Sequence, residues 1–183
     1  MKILLVANTD WYLYNFRLSL ARYLHELGNE VILCSPQGRY TSSFRDHGFR
    51  WVHWKLGRKT ITPWGEVSSL AQLLTIYRWE RPLLVHHHTI KPVIYGSFAA
   101  RLASVPGVVN SITGRGYVFL GEDLQARLLR RLVKWLYKPA FAPPNCAVIF
   151  ENEPDRRYFL QERLIPPNRA WLIEGVGVDT QVF

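Results

Sequence analysis

The 183-residue chain has only two cysteines, Cys34 and Cys146. They stand far apart, without companions at metal-ligand spacing, so neither a disulfide framework nor a zinc site is expected and a reducing cytosol fits. No stretch approaches the about 18 consecutive apolar residues of a membrane span, so no bilayer crossing is expected. The apolar segment Ile3 to Ala7 is shorter than the roughly 7 to 15 residues of a signal-peptide core, lacks a small-residue cleavage site after it, and reads as a first strand. Internal repeats and low-complexity segments are missing. So is a Walker A motif. Asn8, Thr9 and Asp10 follow the first strand where a dinucleotide fold has its glycine-rich turn, and Gly114, Gly116 and Gly121 lack that fingerprint's spacing, so NAD and ATP fit poorly. Acidic residues are scarce, 14 Asp+Glu against 23 Lys+Arg for a net charge of +9. Such an excess admits nucleic acid, an anionic membrane surface or phosphorylated small molecules. With no helix-turn-helix, finger or RNA-recognition signature, nucleic acid is not expected.

What is present is a core. At 48% hydrophobic and 20% charged the chain can bury one full domain, on a prior of roughly 100 to 200 residues per domain. Strand-like and helix-like runs alternate, the pattern of an α/β fold with a Rossmann-like parallel sheet and helices on both faces. Strands are expected at Ile3–Ala7, Val31–Cys34, Trp51–Trp54, Leu83–His87, Val105–Ile112, Cys146–Phe150 and Ala170–Ile173. The stripe Phe16, Leu20, Ala21, Leu24, Leu27 predicts one helix ended by Gly28. A short helix is expected around Phe44. Pro63 opens a helix after Thr62 and Pro92 opens another through Leu102. Further helices are expected from Glu122 to a stop at Pro139 and from Asp155 to Arg163.

Ligands of open parallel sheets bind beyond the carboxyl ends of the strands. The segments there are 8–12, 35–38, 86–91, 113–117, 151–155 and 174–179. Thr113, Gly114, Arg115 and Gly116 put two glycines and a cation at a strand end, where they either turn the chain or let an anion approach backbone N–H groups. His86, His87 and His88 alternate in direction along a strand and cannot all face one metal ion without distortion. One or two of them are expected to face the cleft beside Lys91 as donors to a sugar or phosphate, with His87 on the opposite side. Asp10 is the acid at the mouth of the first strand, with helix capping as its alternative role.

Along the helix that begins at Glu122, Arg127, Arg131, Lys134 and Lys138 form a basic stripe with Arg130 beside it, while Leu124, Leu128, Leu132, Trp135 and Leu136 cover the other side. The stripe is either a solvated outer face or a platform for anionic lipid headgroups, each near-surface cation then adding about 1 kcal/mol. Trp135, Tyr137, Phe141 and Trp64 suit an interface.

These residues resemble the N-terminal domain of family 4 glycosyltransferases of the GT-B fold, in the branch that builds capsular, exopolysaccharide and O-antigen chains. The resemblance rests on Lys2 to Asp10 with Trp11 to Arg17, on His86 to Pro92 with Tyr95-Gly96 and Ala99 to Ala103, and on Ser111 to Phe119. Asn152 to Phe159 and Gly175 to Asp179 with Phe183 add to it. It implies half of a GT-B fold, residues 1–174, followed by the start of an interdomain linker, 175–183. It also implies retaining, metal-independent transfer from a nucleotide-diphosphate sugar to a glycan or polyprenyl-diphosphate-linked acceptor, with no cofactor. The donor pocket belongs to a C-terminal half or a partner chain, without which no turnover is expected.

On that basis Asp10, His86 and His88 are the expected catalytic residues, and Trp11, Arg17 and Lys91 frame the acceptor. Thr113, Gly114, Arg115 and Gly116 face the donor, Asn152, Gly175 and Asp179 face the other domain, and Arg127, Arg131, Lys134 and Lys138 face the membrane. The expected location is peripheral, at the inner face of the cytoplasmic membrane. The alternative is a non-catalytic membrane-associated subunit that recruits a separate transferase chain.

Overall fold

A computed structural model describes residues 1–57, 62–114, 118–119, 121 and 123–175. Seven parallel strands form one sheet: β1 Lys2–Ala7, β2 Glu30–Ser35, β3 Arg50–His53, β4 Leu84–His88, β5 Gly107–Ile112, β6 Cys146–Phe150 and β7 Ala170–Leu172. Their order is β3-β2-β1-β4-β5-β6-β7. The chain steps outward from β1 through β2 and β3, then returns to the other side of β1 at β4. The β1–β4 seam is therefore the topological switch point, where crossovers diverge to opposite faces and leave a crevice at the carboxyl ends.

The helices are α1 Asp10–Phe16, α2 Leu18–Glu26, α3 Thr41–Asp46, α4 Pro63–Glu80, α5 Ile90–Leu102, α6 Leu124–Phe141 and α7 Glu153–Gln161. Leu4, Val6, Val85, Val108, Val148 and Phe150 point to the face covered by α4, α5, α6 and α7. Ile3, Leu5, Ala7, Val31 and Leu33 point to the face covered by α1, α2 and α3.

On that second face, register aligns Ala7, His88, Ser111, Ile149 and Trp171 in one row, with Leu5, His86, Val109 and Ala147 in the next. Helices α1, α2 and α3 pack on β1, β2 and β3, so beyond the histidines the row runs out from under its cover. Val109, Ala147 and Ile149 are only partly buried and Trp171 is 60% exposed. Parallel strands are ordinarily buried on both faces.

Several expected elements are corrected. The predicted single helix through Phe16 and Leu27 is two helices broken at Arg17, whose backbone leaves helical geometry at φ −129, ψ −2. That break turns the Arg17 side chain down onto the sheet. Gly28 does end α2 with φ +80, a backbone conformation at which glycine has no steric cost. Helix α5 begins at Ile90, so Pro92 lies in its first turn, where a missing N–H is tolerated. Pro139 does not stop α6 but lies inside it; the carbonyl it leaves unbonded belongs to Trp135, a residue on the exposed side.

Helix α6 is also rotated relative to its predicted polarity, so that its core side is neither the basic stripe nor the one of Leu124, Leu128, Leu132 and Trp135. Ala126, Val133, Tyr137, Ala140 and Phe141 are its buried residues. Leu124, Leu128, Leu132 and Trp135 are 71%, 56%, 49% and 69% exposed, alongside exposed Arg127, Arg131 and Lys138. The aromatic cluster Phe119, Tyr137, Phe141, Phe150 and Phe159 supplies the contact surface, and only the Tyr137 side of the helix reaches it.

Candidate functional site

The switch point gathers side chains from four elements. Strand β4 alternates, so His86 and His88 face α1 and α2 while His87 faces α4 and α5. His87 is held from both ends, its Nδ1 2.8 Å from Asn110 Oδ1 and its Nε2 2.8 Å from the Tyr77 hydroxyl. Asn110 further donates to Ser97 Oγ at 3.0 Å and to Cys146 Sγ at 3.2 Å. This is an internal polar network with every ring nitrogen partnered, and burial brings the His87 pKa down to about 4.

On the opposite face, His86 Nε2 lies 2.7 Å from Ser111 Oγ, and the His86 and His88 ring centroids are 4.1 Å apart. Burial, then Arg17 and His87, lower the His86 pKa to about 3. Burial, then His86, Arg17 and His87, hold His88 well below its usual range. Neither ring is a proton acceptor near neutral pH. Both are uncharged hydrogen-bonding groups.

Arg17 organises the centre. From the break between α1 and α2 its Nε donates to His88 Nδ1 at 3.1 Å, its Nη2 to Glu151 Oε1 at 2.7 Å and its Nη1 to the Phe16 carbonyl at 3.2 Å. The residue is 7% exposed. Its guanidinium also sits 5.2 Å from the centre of the Tyr12 ring, which lies 5.5 Å from the His88 ring. Glu151 follows β6 directly, so the pair ties the far strand to the switch point.

Three buried polar atoms here have no hydrogen-bond partner among the described residues: Tyr12 Oη, His88 Nε2 and Thr89 Oγ1. Thr89, between β4 and α5, also holds φ +73, a strained backbone for a β-branched residue and one that recurs at ligand sites.

The other expected site residues are placed as follows. Asp10 is buried and its carboxylate accepts from Trp11 N at 2.8 Å and Tyr40 N at 2.7 Å. It fastens the loop after β1 to the loop after β2, while Thr9 caps α1 by accepting from Tyr12 N at 3.1 Å. Trp11 is 48% exposed on the rim. Lys91 is drawn toward α4, donating to Glu66 Oε1 at 2.8 Å and the Gly57 carbonyl at 2.6 Å, and Tyr95 also bonds Glu66. Thr113 and Gly114 stand at the end of β5, Gly114 at φ +125; Arg115 and Gly116 lie outside the described residues, as does Asp179. Asn152 caps α7, its Oδ1 accepting from Asp155 N at 2.8 Å, and Gly175 N donates to the Glu151 carbonyl at 3.1 Å. Lys134 is paired with Glu162 and so stands off the exposed stripe of α6.

Sequence reasoning missed Tyr12, Glu151, Ser111 and Thr89 as members of one site. Each lies in or beside a segment after a strand, and the pairing of β4 with β5 would have set Ser111 beside His88, but nothing in the spacing joins Glu151 to Arg17 across 134 positions.

The sequence model of the family described as glycosyl transferase 4-like matches residues 2–142. The chain belongs to that family. It is 24% identical over 183 residues to an N,N'-diacetylbacillosaminyl-diphospho-undecaprenol alpha-1,3-N-acetylgalactosaminyltransferase of Campylobacter jejuni subsp. jejuni, a match covering 100% of this chain and 48% of the relative. It is 30% identical over 118 residues to a UDP-Gal:alpha-D-GlcNAc-diphosphoundecaprenol alpha-1,3-galactosyltransferase of Escherichia coli, covering 64% of this chain and 29% of that protein. The chain thus spans at most about half the length of these curated relatives. The fold is shared with Anabaena HepE, crystallised with UDP and glucose, at a TM-score of 0.70 and 14% identity over 100% of this chain and 46% of the other. Among the described residues no helix is long and apolar enough to cross a membrane.

Proposed function

We propose that the chain is the acceptor-side domain of a retaining, nucleotide-sugar-dependent glycosyltransferase acting in polysaccharide or lipid-linked glycan synthesis. The observation that carries this reading is the polar cluster of Arg17, His86, His88, Glu151, Tyr12 and Thr89 at the sheet's switch point, in a member of this family. Both curated relatives named above are transferases whose names specify diphospho-undecaprenol compounds, which supports a lipid-linked acceptor here. In this reading the reaction needs no metal or cofactor, and the histidine stretch serves hydrogen bonding: His86 Nε2 to Ser111, His88 Nδ1 to Arg17, His87 on the opposite face. On the same reading Thr113 and Gly114, just after β5, face a donor diphosphate held on the other side of the cleft.

The donor pocket is supplied by a C-terminal half or a partner chain. Half-coverage of the relatives supports this, as does the partly bare face of β5, β6 and β7, lined by Val109, Ala147, Ile149 and Trp171. The test is turnover. The purified 183-residue chain should transfer no sugar from any nucleotide sugar to a polyprenyl-diphosphate-linked acceptor, and should do so when joined to a donor-binding half. Activity of the chain alone refutes the need for a second half.

The place of work is the inner face of the cytoplasmic membrane, held peripherally by α6. Its outward leucines and Trp135, fringed by Arg127, Arg131 and Lys138, match an anionic lipid surface. The same face favours, as a second reading, a non-catalytic subunit that brings a separate transferase chain to lipid.

A further inference from the structure

Arginine has only donors. Where Arg17 Nε–H points at His88 Nδ1 over 3.1 Å, that ring nitrogen must be the acceptor, and the single proton of the neutral imidazole is left on Nε2. Protonating Nδ1 as well would set two N–H groups head to head. The Arg17 charge is in turn matched by Glu151 at 2.7 Å, with both side chains largely buried, so the pair presents no net charge to its surroundings.

What remains at the centre is a set of uncharged hydrogen-bonding atoms: His88 Nε2–H, the Tyr12 hydroxyl and the Thr89 hydroxyl, all buried and without a hydrogen-bond partner among the described residues. An unmet buried polar group destabilises the fold, and even an isolated case calls for an explanation. Three from neighbouring residues, one of them on strained backbone, have a common explanation in a ligand that completes them. A diphosphate would want cations, and among the described residues the cations at hand are engaged: Arg17 with Glu151, Lys91 with Glu66.

We infer that Arg17 and Glu151 are positioning residues that fix His88 as a neutral Nε2–H donor, and that His88, Tyr12 and Thr89 bind the hydroxyls of an uncharged glycosyl ring. The identity of that ring as part of the acceptor rests on the reading above; the positioning of His88 does not. The ring hydroxyls accept from Nε2–H and exchange donor and acceptor roles with the two side-chain hydroxyls, while any diphosphate of the same ligand lies outside this cluster.

The experiment is long-range ¹⁵N–¹H correlation spectroscopy of the histidines in the labelled 183-residue chain. His88 is expected to show an unprotonated Nδ1 and a protonated Nε2 unchanged from pH 5.5 to 8. Arg17→Lys, which replaces a rigid fork by a point charge, and Glu151→Gln should each move the two nitrogens toward averaged shifts. Titration with methyl N-acetyl-α-D-glucosaminide should shift His88 Nε2 at millimolar concentration, and inorganic pyrophosphate should not. A protonated Nδ1, a His88 that titrates in that range, a response to pyrophosphate alone, or no response to either probe overturns the inference. Should a variant fail to fold, the wild-type spectra alone still distinguish these outcomes. Loss of the transfer reaction with the His88 signals as expected would count against the proposed function and leave the positioning intact.

Discussion

Gly96 has no side chain because the imidazole of His87 occupies the space. A Cβ built on Gly96 would lie 2.8 Å from His87 Cε1 and nearer still to Nε2 and Cδ2. The ring cannot yield, since Asn110 and Tyr77 hold its two nitrogens. Gly96→Ala should therefore destabilise the fold by about 1–3 kcal/mol, the usual cost of overpacking a fixed core, even though alanine is the better helix former at that position in α5. Chemical denaturation checks it. A neutral or stabilising result would mean that the His87 network is looser than its hydrogen bonds imply.

Burial of His86, His87 and His88 makes stability depend on pH in a definite direction. Their folded pKa values, about 3 for His86, about 4 for His87 and well lowered for His88, lie below the about 6.5 of an unfolded histidine. Below that value the unfolded chain binds protons that the folded chain refuses, so stability is full above about pH 7 and falls as the medium becomes more acid. Each histidine held neutral in the fold adds a loss of up to about 1 kcal/mol per pH unit below the unfolded value, and the three losses have the same sign. Urea midpoints across pH 5 to 8 should decline steeply below 6.5; a flat profile would contradict the buried, neutral triplet.

The sheet is legible in the sequence because its strands are short apolar runs between turn signals, and all seven stand within three residues of their expected bounds. The helix break at Arg17 is not, because residues 16 to 27 keep an unbroken apolar period while the tertiary demand for a cation at the β1–β4 seam breaks the backbone. Helix α6 misleads for a related reason. Its leucines and its basic residues make two adjoining stripes that are both exposed, and the core is met by a third side carrying Val133, Tyr137 and Phe141, the two rings being large enough to fill the space against Phe159. The alternation of the histidine stretch follows from strand geometry alone, but Glu151 and Tyr12 gain meaning only from strand order.

Asp10 offers a test between a structural and a chemical role. Its two oxygens are committed to Trp11 N and Tyr40 N, and Gly38 must lack a side chain to leave room, since a Cβ there would lie 2.6 Å from Asp10 Cγ and nearer to both oxygens. Hydrogen bonds to a charged acceptor are worth about 1.5–3 kcal/mol each. Asp10→Asn keeps one acceptor oxygen and should lose about that much stability, and Gly38→Ala should mimic the loss by displacing the carboxylate. Thermal melts of both variants, compared with sugar transfer in the enzyme completed by a donor-binding half, separate the roles. An Asp10→Asn protein with unchanged melting and abolished turnover would assign the carboxylate to chemistry instead of to the loops.

The exposed face of α6 predicts a specific lipid dependence. Taken around the helix, Arg127, Arg131 and Lys138 adjoin Leu124, Trp135, Leu128 and Leu132 on one continuous outward surface, so the apolar side chains can enter the headgroup boundary while the cations stay among the phosphates. Each near-surface cation adds about 1 kcal/mol, roughly a fivefold change in partitioning, and its effect fades within a Debye length as salt rises. The chain should sediment with vesicles rich in phosphatidylglycerol and not with phosphatidylcholine alone. Arg131→Glu and Lys138→Glu should each weaken binding by at least that factor, and Trp135→Ala should weaken it at high salt as well, because its contribution is apolar. Lys134→Glu should have a smaller effect, its ammonium being paired with Glu162 away from the surface. Equal binding to both vesicle types would remove the electrostatic part of the argument, and concentration-dependent dimerisation abolished by Leu128→Ser would assign the face to a second copy of the chain instead of to lipid.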